Sequence, residues 1–440
     1  MRGVALVLLA VVTGLTGCAA PAPSGGAASS GAPEQRVTKK LVAAIRGDLR
    51  TLSEALNNGL GGSVAGTREV DLLVNAGLGV IDSAGQHRPR LAEVVPTIEN
   101  GRWKLFADGR METTWSLRRE AVWHDGEPFT AGDLLFATRV AQDADLPLAR
   151  SPGYPVVDTV EAPDPYSLVV TWKQPFIDAD MLFTQRSSPT VMPLPRHVLE
   201  GPYGAGDKNA FLAHPYWTQG FVGTGAYRLR SWTLGSNVVL EANDRYVLGR
   251  PKLDLIEVRF ILDTNVIVAN VLAGEVQLTV GRGLTIEQAI LVRGEWRHGT
   301  VDTPLIQHTS MWPQFLNPDP AVMLDLRFRR ALYHALDRQQ IVDIFLGGLV
   351  PVADSIINPD MPEFSAIDPH ATRYPYDPNA ARRLLEEVPS ISKEADGFYY
   401  ERATGRRISV EITTRADHLR EKDAAPSGGT VARGGDGVSG

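Results

Sequence analysis

Apolar positions in this 440-residue chain repeat first with the period of strands and later with that of helices. Leu41 to Ile45 is a short unbroken apolar run closed by Arg46-Gly47-Asp48, the pattern of a buried strand. Met111 to Arg118 alternates, with Thr113, Trp115 and Leu117 set against Thr114, Ser116 and Arg118, and predicts a half-exposed strand. Val122 to Pro128 predicts a turn. Thr130 then caps a helix, Asp133 closes a capping box, and Phe129 can staple to Leu134. Two strands around Asp164-Pro165 fill Val160 to Trp172. Tyr227 to Leu240 predicts a hairpin with Gly235-Ser236-Asn237 at its tip, and Lys252 to Leu262 another alternating strand. Beyond these, Asp325 caps a helix predicted to run to about Leu346. Phe328, Leu332, Ala335, Leu336, Val342, Phe345 and Leu346 form one broad face, and Gly347-Gly348 ends it. Asp377-Pro378 starts a further helix with Leu384 and Leu385 on its buried side, and Val410 to Thr413 predicts a last strand. Strands and helices mix throughout, which favours α/β or α+β layers.

The first residues follow a different rule. Arg2, the apolar run Val4 to Val12 and then Leu15-Thr16-Gly17-Cys18 read as a signal peptide over 1–17, ending at a bacterial lipoprotein cleavage site. The run is shorter than the roughly 20 residues a spanning helix needs. Cys18 is the single cysteine, so an internal disulfide is excluded. Its expected role is to carry the lipid that anchors the protein outside the cytoplasm to a bacterial membrane, in the periplasm or on the outer face of the cell membrane. Ala19 to Pro33 contains only Ala, Pro, Ser and Gly, so 18–35 is expected to be a flexible tether.

The rest has ordinary globular composition, 43% hydrophobic with 7% aromatic, and is long enough for two or more domains. A formal charge of −7 argues against nucleic-acid binding. H-E-x-x-H, C-x-x-C and the phosphate-binding G-x-x-x-x-G-K-S/T are all missing. Gly61-Gly62-Ser63-Val64-Ala65 only approaches a nucleophile elbow. His124-Asp125 could pair as acid and base, but it sits in a W-H-D-G turn, where an aspartate before glycine usually serves the turn. Nine histidines lack ligand spacing. The reading therefore predicts no catalytic residue, no metal and no cofactor, and makes an enzyme the weaker class.

A series of motifs, in order, resembles the extracellular solute-binding proteins, family 5, of ABC importers. Trp115-Ser116-Leu117-Arg118 leads into Val122-Trp123-His124-Asp125-Gly126-Glu127-Pro128, then Phe129-Thr130-Ala131-Gly132-Asp133. Val191-Met192-Pro193 through His197-Val198-Leu199 follows. Val222-Gly223-Thr224-Gly225-Ala226-Tyr227 is similar to the family's V-G-T-G-P-Y, with Ala226 where proline is usual. Asn243-Asp244-Arg245-Tyr246, Asp325 to Leu332 and Ala335 to Arg338 complete the series. His124, Asp125, Gly126, Gly223, Gly225 and Tyr227 are thus expected as structural motif residues.

The resemblance implies a two-lobed periplasmic-binding-protein-like clamp (type II, cluster C) with an extra domain, closing on its ligand by a hinge. The expected boundaries are 36–83 and 191–283 for the first lobe, 84–190 for the domain inserted in it, 284–420 for a partial second lobe, and 421–440 for a disordered tail. Chains of the family usually continue past Val410 to Arg420, and the aspartate that pairs with a peptide's N-terminus belongs to that later segment, so the C-terminal lobe is expected to be incomplete. Asn75, Gly77 and Leu78, at the end of an early strand, and Trp312, Gln314 and Asn317, before the Asp325 helix, are the expected ligand contacts. Trp312 reads equally as core, and Asn317 as part of an Asn-Pro-Asp-Pro turn. The implied function is capture of peptides and delivery to ABC permease subunits by a monomer. The same fold could instead carry a nickel chelate, an oligosaccharide or an opine-like metabolite.

Overall fold

In the computed structural model, which describes residues 38–60, 64–184, 191–281, 283–303, 310–359, 361 and 363–413, the chain begins as a central strand. The expected signal peptide, Cys18, tether and tail lie outside the described residues, as do Gly61 to Ser63 of the elbow-like segment. β1 (Lys40–Ile45) is buried on both faces, which is why it reads as an unbroken apolar run. Then follow α1 (Glu54–Gly59), α2 (Thr67–Val74), β2 (Gly79–Ile81), β3 (His87–Pro89), β4 (Trp103–Leu105), β5 (Met111–Ser116), α3 (Ala131–Gln142), β6 (Val157–Asp164) and β7 (Ser167–Trp172). After α4 (Arg196–Gly204) and α5 (Lys208–Leu212) come β8 (Tyr227–Thr233), β9 (Asn237–Ala242), β10 (Leu255–Phe260), α6 (Thr264–Leu272), β11 (Leu278–Thr279) and α7 (Ile286–Glu295). The last part holds α8 (Leu326–Ala335), α9 (Arg338–Leu346), α10 (Phe364–Ile367), α11 (Pro378–Glu386), β12 (Ile391–Lys393) and β13 (Tyr399–Glu401).

Two sheets carry the architecture. The first has the order β11-β1-β10-β9-β8. β1 runs parallel to β10, from Lys40 opposite Leu255 to Ile45 opposite Phe260, while β8, β9 and β10 are antiparallel neighbours. Alternation along β1 sends Ala43 and Ile45 into the large core and Val42 and Ala44 toward Ile267, Val271 and Val292 of α6 and α7. The second sheet, β4-β5-β7-β6, is antiparallel. Met111, Thr113 and Trp115 of β5 point inward, as the alternation predicts. Buried Thr113 accepts a hydrogen bond from the Trp172 indole at 3.0 Å, so its hydroxyl is satisfied. Residues from both sheets and α3 share one core cluster. A smaller cluster joins Val322, Phe328, Val388 and Ile391.

α3 forms where the capping box requires it. The Thr130 N–H donates to Asp133 Oδ2 at 2.9 Å, and the Arg196 N–H at the start of α4 donates to Oδ1 at 3.0 Å. One carboxylate thereby fixes the starts of two helices, although its burial raises its pKa. At the other end, Arg150 donates to the carbonyls of Ala141 and Leu146 at 2.6 and 2.8 Å and also to that of Asp143. Ala141 and Asp143 stand at the end of α3, where a helix terminus leaves acceptors over. Arg150→Ala is expected to lower stability by about 2 kcal/mol, since charge-assisted bonds contribute roughly 1.5–3 kcal/mol each when well sheltered. Chemical denaturation checks this, and an unchanged midpoint would count against the capping role.

Two expected elements differ. The helix from Asp325 to Leu346 is two helices, because Leu336 is extended and Asp337 starts a second one by accepting from the Gln340 N–H at 2.9 Å. The apolar face spans both helices and so hides the break. Val410 to Thr413 forms no strand; the nearby pairing is the β12–β13 hairpin, to which Ile408 adds one hydrogen bond.

Candidate functional site at the corner after α2

α2 ends at Val74, and the next four residues turn into β2, held on one side by a motif segment and on the other by Phe183 and the segment Arg90 to Ala92. Thr224 satisfies both backbone groups of Ala76: its Oγ1 accepts from the Ala76 N–H and donates to the Ala76 carbonyl, each at 3.0 Å. The Gly225 N–H donates to the Val74 carbonyl at 2.9 Å. This approach needs glycine, since a Cβ at Gly225 would lie 2.4 Å from the Leu73 oxygen and one at Gly223 would lie 2.0 Å from the Val74 oxygen. Gly77 packs equally tightly under the Phe183 carbonyl, and Leu78 is fully buried in the core.

His124 closes the same knot. Its Nδ1 accepts from the Gly223 N–H at 3.1 Å, which leaves Nε2 as the donor to the Gly225 carbonyl, also at 3.1 Å. Burial, with no carboxylate bonded to the ring, lowers its pKa to about 4. Asn243 donates to the same Gly225 carbonyl at 3.0 Å, and Arg245 donates to the His124 carbonyl at 3.1 Å across Gly126. Asp125 pairs with His197 at 2.7 Å, and Tyr227 is 6% exposed at the start of β8. The motif residues therefore act as tie points. With its one lone pair taken by Gly223, the His124 ring has none to offer a substrate as a general base.

The expected ligand residues fall into two environments. Asn75 is 4% exposed and lines a cavity of about 10 Å³ with Ser53, Met192, Tyr216 and Trp217. Leu78 belongs to the core, because both its backbone and its side chain are enclosed. Trp312 is 84% exposed, so its core reading is corrected; Gln314 and Asn317 are exposed beside it. Residues 310–315 have no helix or strand, and Phe315 and Leu316 are also exposed.

The sequence reading missed Asp71, a buried acid one helical turn before Asn75. The Asp-x-x-x-Asn spacing was visible, but nothing in it showed that the face carrying both would turn inward. A cavity of about 250 Å³ near Arg338, Asp354, Arg373 and Tyr376 was also not anticipated; there Asp354 holds both guanidinium groups, at 2.9 and 3.6 Å.

Comparison with known proteins agrees with the fold. Residues 93–426 match the family described as bacterial extracellular solute-binding proteins, family 5 Middle. A putative ABC transporter peptide-binding protein of Brucella ovis is 30% identical over 269 residues, which are 61% of this chain and 47% of that protein. The chain thus spans about half the length of the curated relatives it matches. An oligopeptide-binding protein from Thermus thermophilus, solved with a pentapeptide, aligns over 87% of this chain and 69% of its own, with 23% identity and a TM-score of 0.54. NikA from Brucella suis, solved with Fe(III)-EDTA, aligns over 87% and 70%, with 19% identity and a TM-score of 0.60. These neighbours share a two-lobed fold. On the match over 93–426, this chain belongs to the bacterial extracellular solute-binding proteins, family 5.

Proposed function

We propose that this protein captures peptides between two lobes and passes them to the membrane subunits of an ABC importer. The observation that carries the reading is the segment Met311 to Leu316, which lies outside helix and strand and is rich in exposed large apolar side chains, with Trp312 at 84% and Leu316 at 88% exposure. Such a segment offers backbone groups for added-strand pairing and aromatic surface for side chains. The Brucella ovis relative named as peptide-binding supports the same substrate class. In this reading Trp312, Gln314 and Asn317 face the ligand. The lobes follow the boundaries set out from the sequence, and Cys18 anchors the protein by lipid through its tether.

Thermal unfolding against a pool of di- to oligopeptides tests the proposal, because a ligand of the folded state raises the midpoint. A clear rise is expected. Trp312→Ala should weaken peptide binding about tenfold, or ~1.4 kcal/mol, while leaving the unliganded midpoint unchanged, since so exposed a side chain holds no core together. Full affinity in that variant would remove Trp312 from the site.

A further inference from the structure

Asp71 is an acid placed where an anion is costly. It is 1% exposed, and among the described residues no Lys, Arg or His forms an ion pair with it. Its Oδ2 accepts from the Glu54 N–H at 2.8 Å. Its Oδ1 lies 2.5 Å from the amide end of Asn75. The other groups acting on it are Glu54 of α1 and Tyr216 of the Pro215–Trp217 turn, and neither supplies a positive charge. Burial is the largest cause that raises the Asp71 pKa to about 7, and the Glu54 charge adds to it.

The neighbouring amide has a complementary problem. Asn75 is 4% exposed, and its side-chain oxygen meets no donor of the protein. The oxygen and nitrogen of an amide exchange places by a half-turn about one bond. A separation of 2.5 Å falls below the range of N–H···O and at the short end of that of O–H···O. If the Asn75 oxygen faces Asp71, a proton on the carboxyl satisfies both groups, and the NH2 takes the outer position.

We infer that Asp71 is a neutral carboxylic acid in the folded protein below neutral pH, that it donates its proton to the side-chain carbonyl of Asn75, and that Asn75 thereby presents its NH2 to the adjoining cavity as the donor for one water molecule. The cavity, about 10 Å³ and lined by Ser53, Tyr216 and Trp217, has room for one water. When Asp71 ionises, its oxygen becomes an acceptor only. The Asn75 amide then turns its NH2 back to the carboxylate and its carbonyl to the cavity. The pair thus reverses the polarity of a buried site with a single proton. This inference is independent of the ligand reading above.

Two measurements test it on the folded chain. The Asp71 carboxyl carbon, followed by NMR from about pH 4 to about pH 9, is expected to titrate with a midpoint near 7, with the Asn75 side-chain amide signals moving along the same curve. A midpoint in the ordinary aspartate range, or Asn75 signals indifferent to it, overturns the proposal. Asp71→Asn keeps a donor toward Asn75 and an acceptor for the Glu54 N–H without a charge. Its unfolding midpoint relative to wild type should increase from about pH 4 to about pH 7 and level off above that. A constant difference overturns the proposal, and if the variant does not fold, the wild-type titration decides alone.

Discussion

Gly225→Val is expected to leave the protein unfolded, or to lower its stability by more than about 4 kcal/mol, at the severe end of single substitutions. The added Cβ alone would stand 2.4 Å from both the Leu73 oxygen and the Val74 carbonyl carbon, and 2.7 Å from the Asn75 nitrogen. All three are backbone atoms, which cannot move aside as a side chain can. Displacing them would break the Gly225 N–H bond to Val74 and part Thr224 from Ala76. Gly294 offers the contrast: it lies in α7, where a Cβ meets nothing within 4 Å. Gly294→Ala should therefore be neutral or stabilising by about 0.5–1 kcal/mol through helix propensity. Denaturant unfolding of both variants checks the pair, and similar midpoints would show that the glycine approach does not hold the corner.

His124 is expected to contribute about 3 kcal/mol of pH-dependent stability. Its pKa is lowered from 6.5 to about 4 by burial, and a difference of one in pKa between folded and unfolded chain corresponds to about 1.36 kcal/mol. Between those values the unfolded chain binds a proton that the folded protein refuses, so stability rises with pH. The contribution is complete above about 6.5 and lost as pH falls through about 4. Asp71 works the other way. With its pKa raised from 3.8 to about 7, the folded protein holds a proton that the unfolded chain has released, and stability from this group falls as pH rises from about 4 to about 7. From about pH 4 to about pH 6.5 the two slopes oppose each other. Wild type should thus show a flatter stability profile there than Asp71→Asn, in which the rise due to His124 stands exposed. Equal slopes in the two proteins would mean that Asp71 gives no shift, and a flat profile in Asp71→Asn would mean the same of His124.

The sequence made some of this legible because pattern and packing agree. β1, β5 and the β8–β9 hairpin follow their apolar periods, and Thr130 and Asp133 announce α3 through local chemistry. The break at Leu336–Asp337 was hidden because the apolar residues stay in phase across it. At the site, the motif residues could be named from order alone, but their task could not. Only the fold brings Gly223, Gly225, His124 and Asn243 together across about a hundred residues of chain. Asp71 was invisible for the opposite reason. A charged side chain ordinarily reads as surface, and only tertiary packing encloses this one.

The central claim is that the cargo is a peptide. Native mass spectrometry of the folded chain, after incubation with a mixed pool of peptides, a nickel–histidine chelate, an oligosaccharide and an opine, tests it most directly. The account predicts retained masses that match peptides and that diminish in Trp312→Ala. Retention of one of the other solutes instead, or of none, would contradict it.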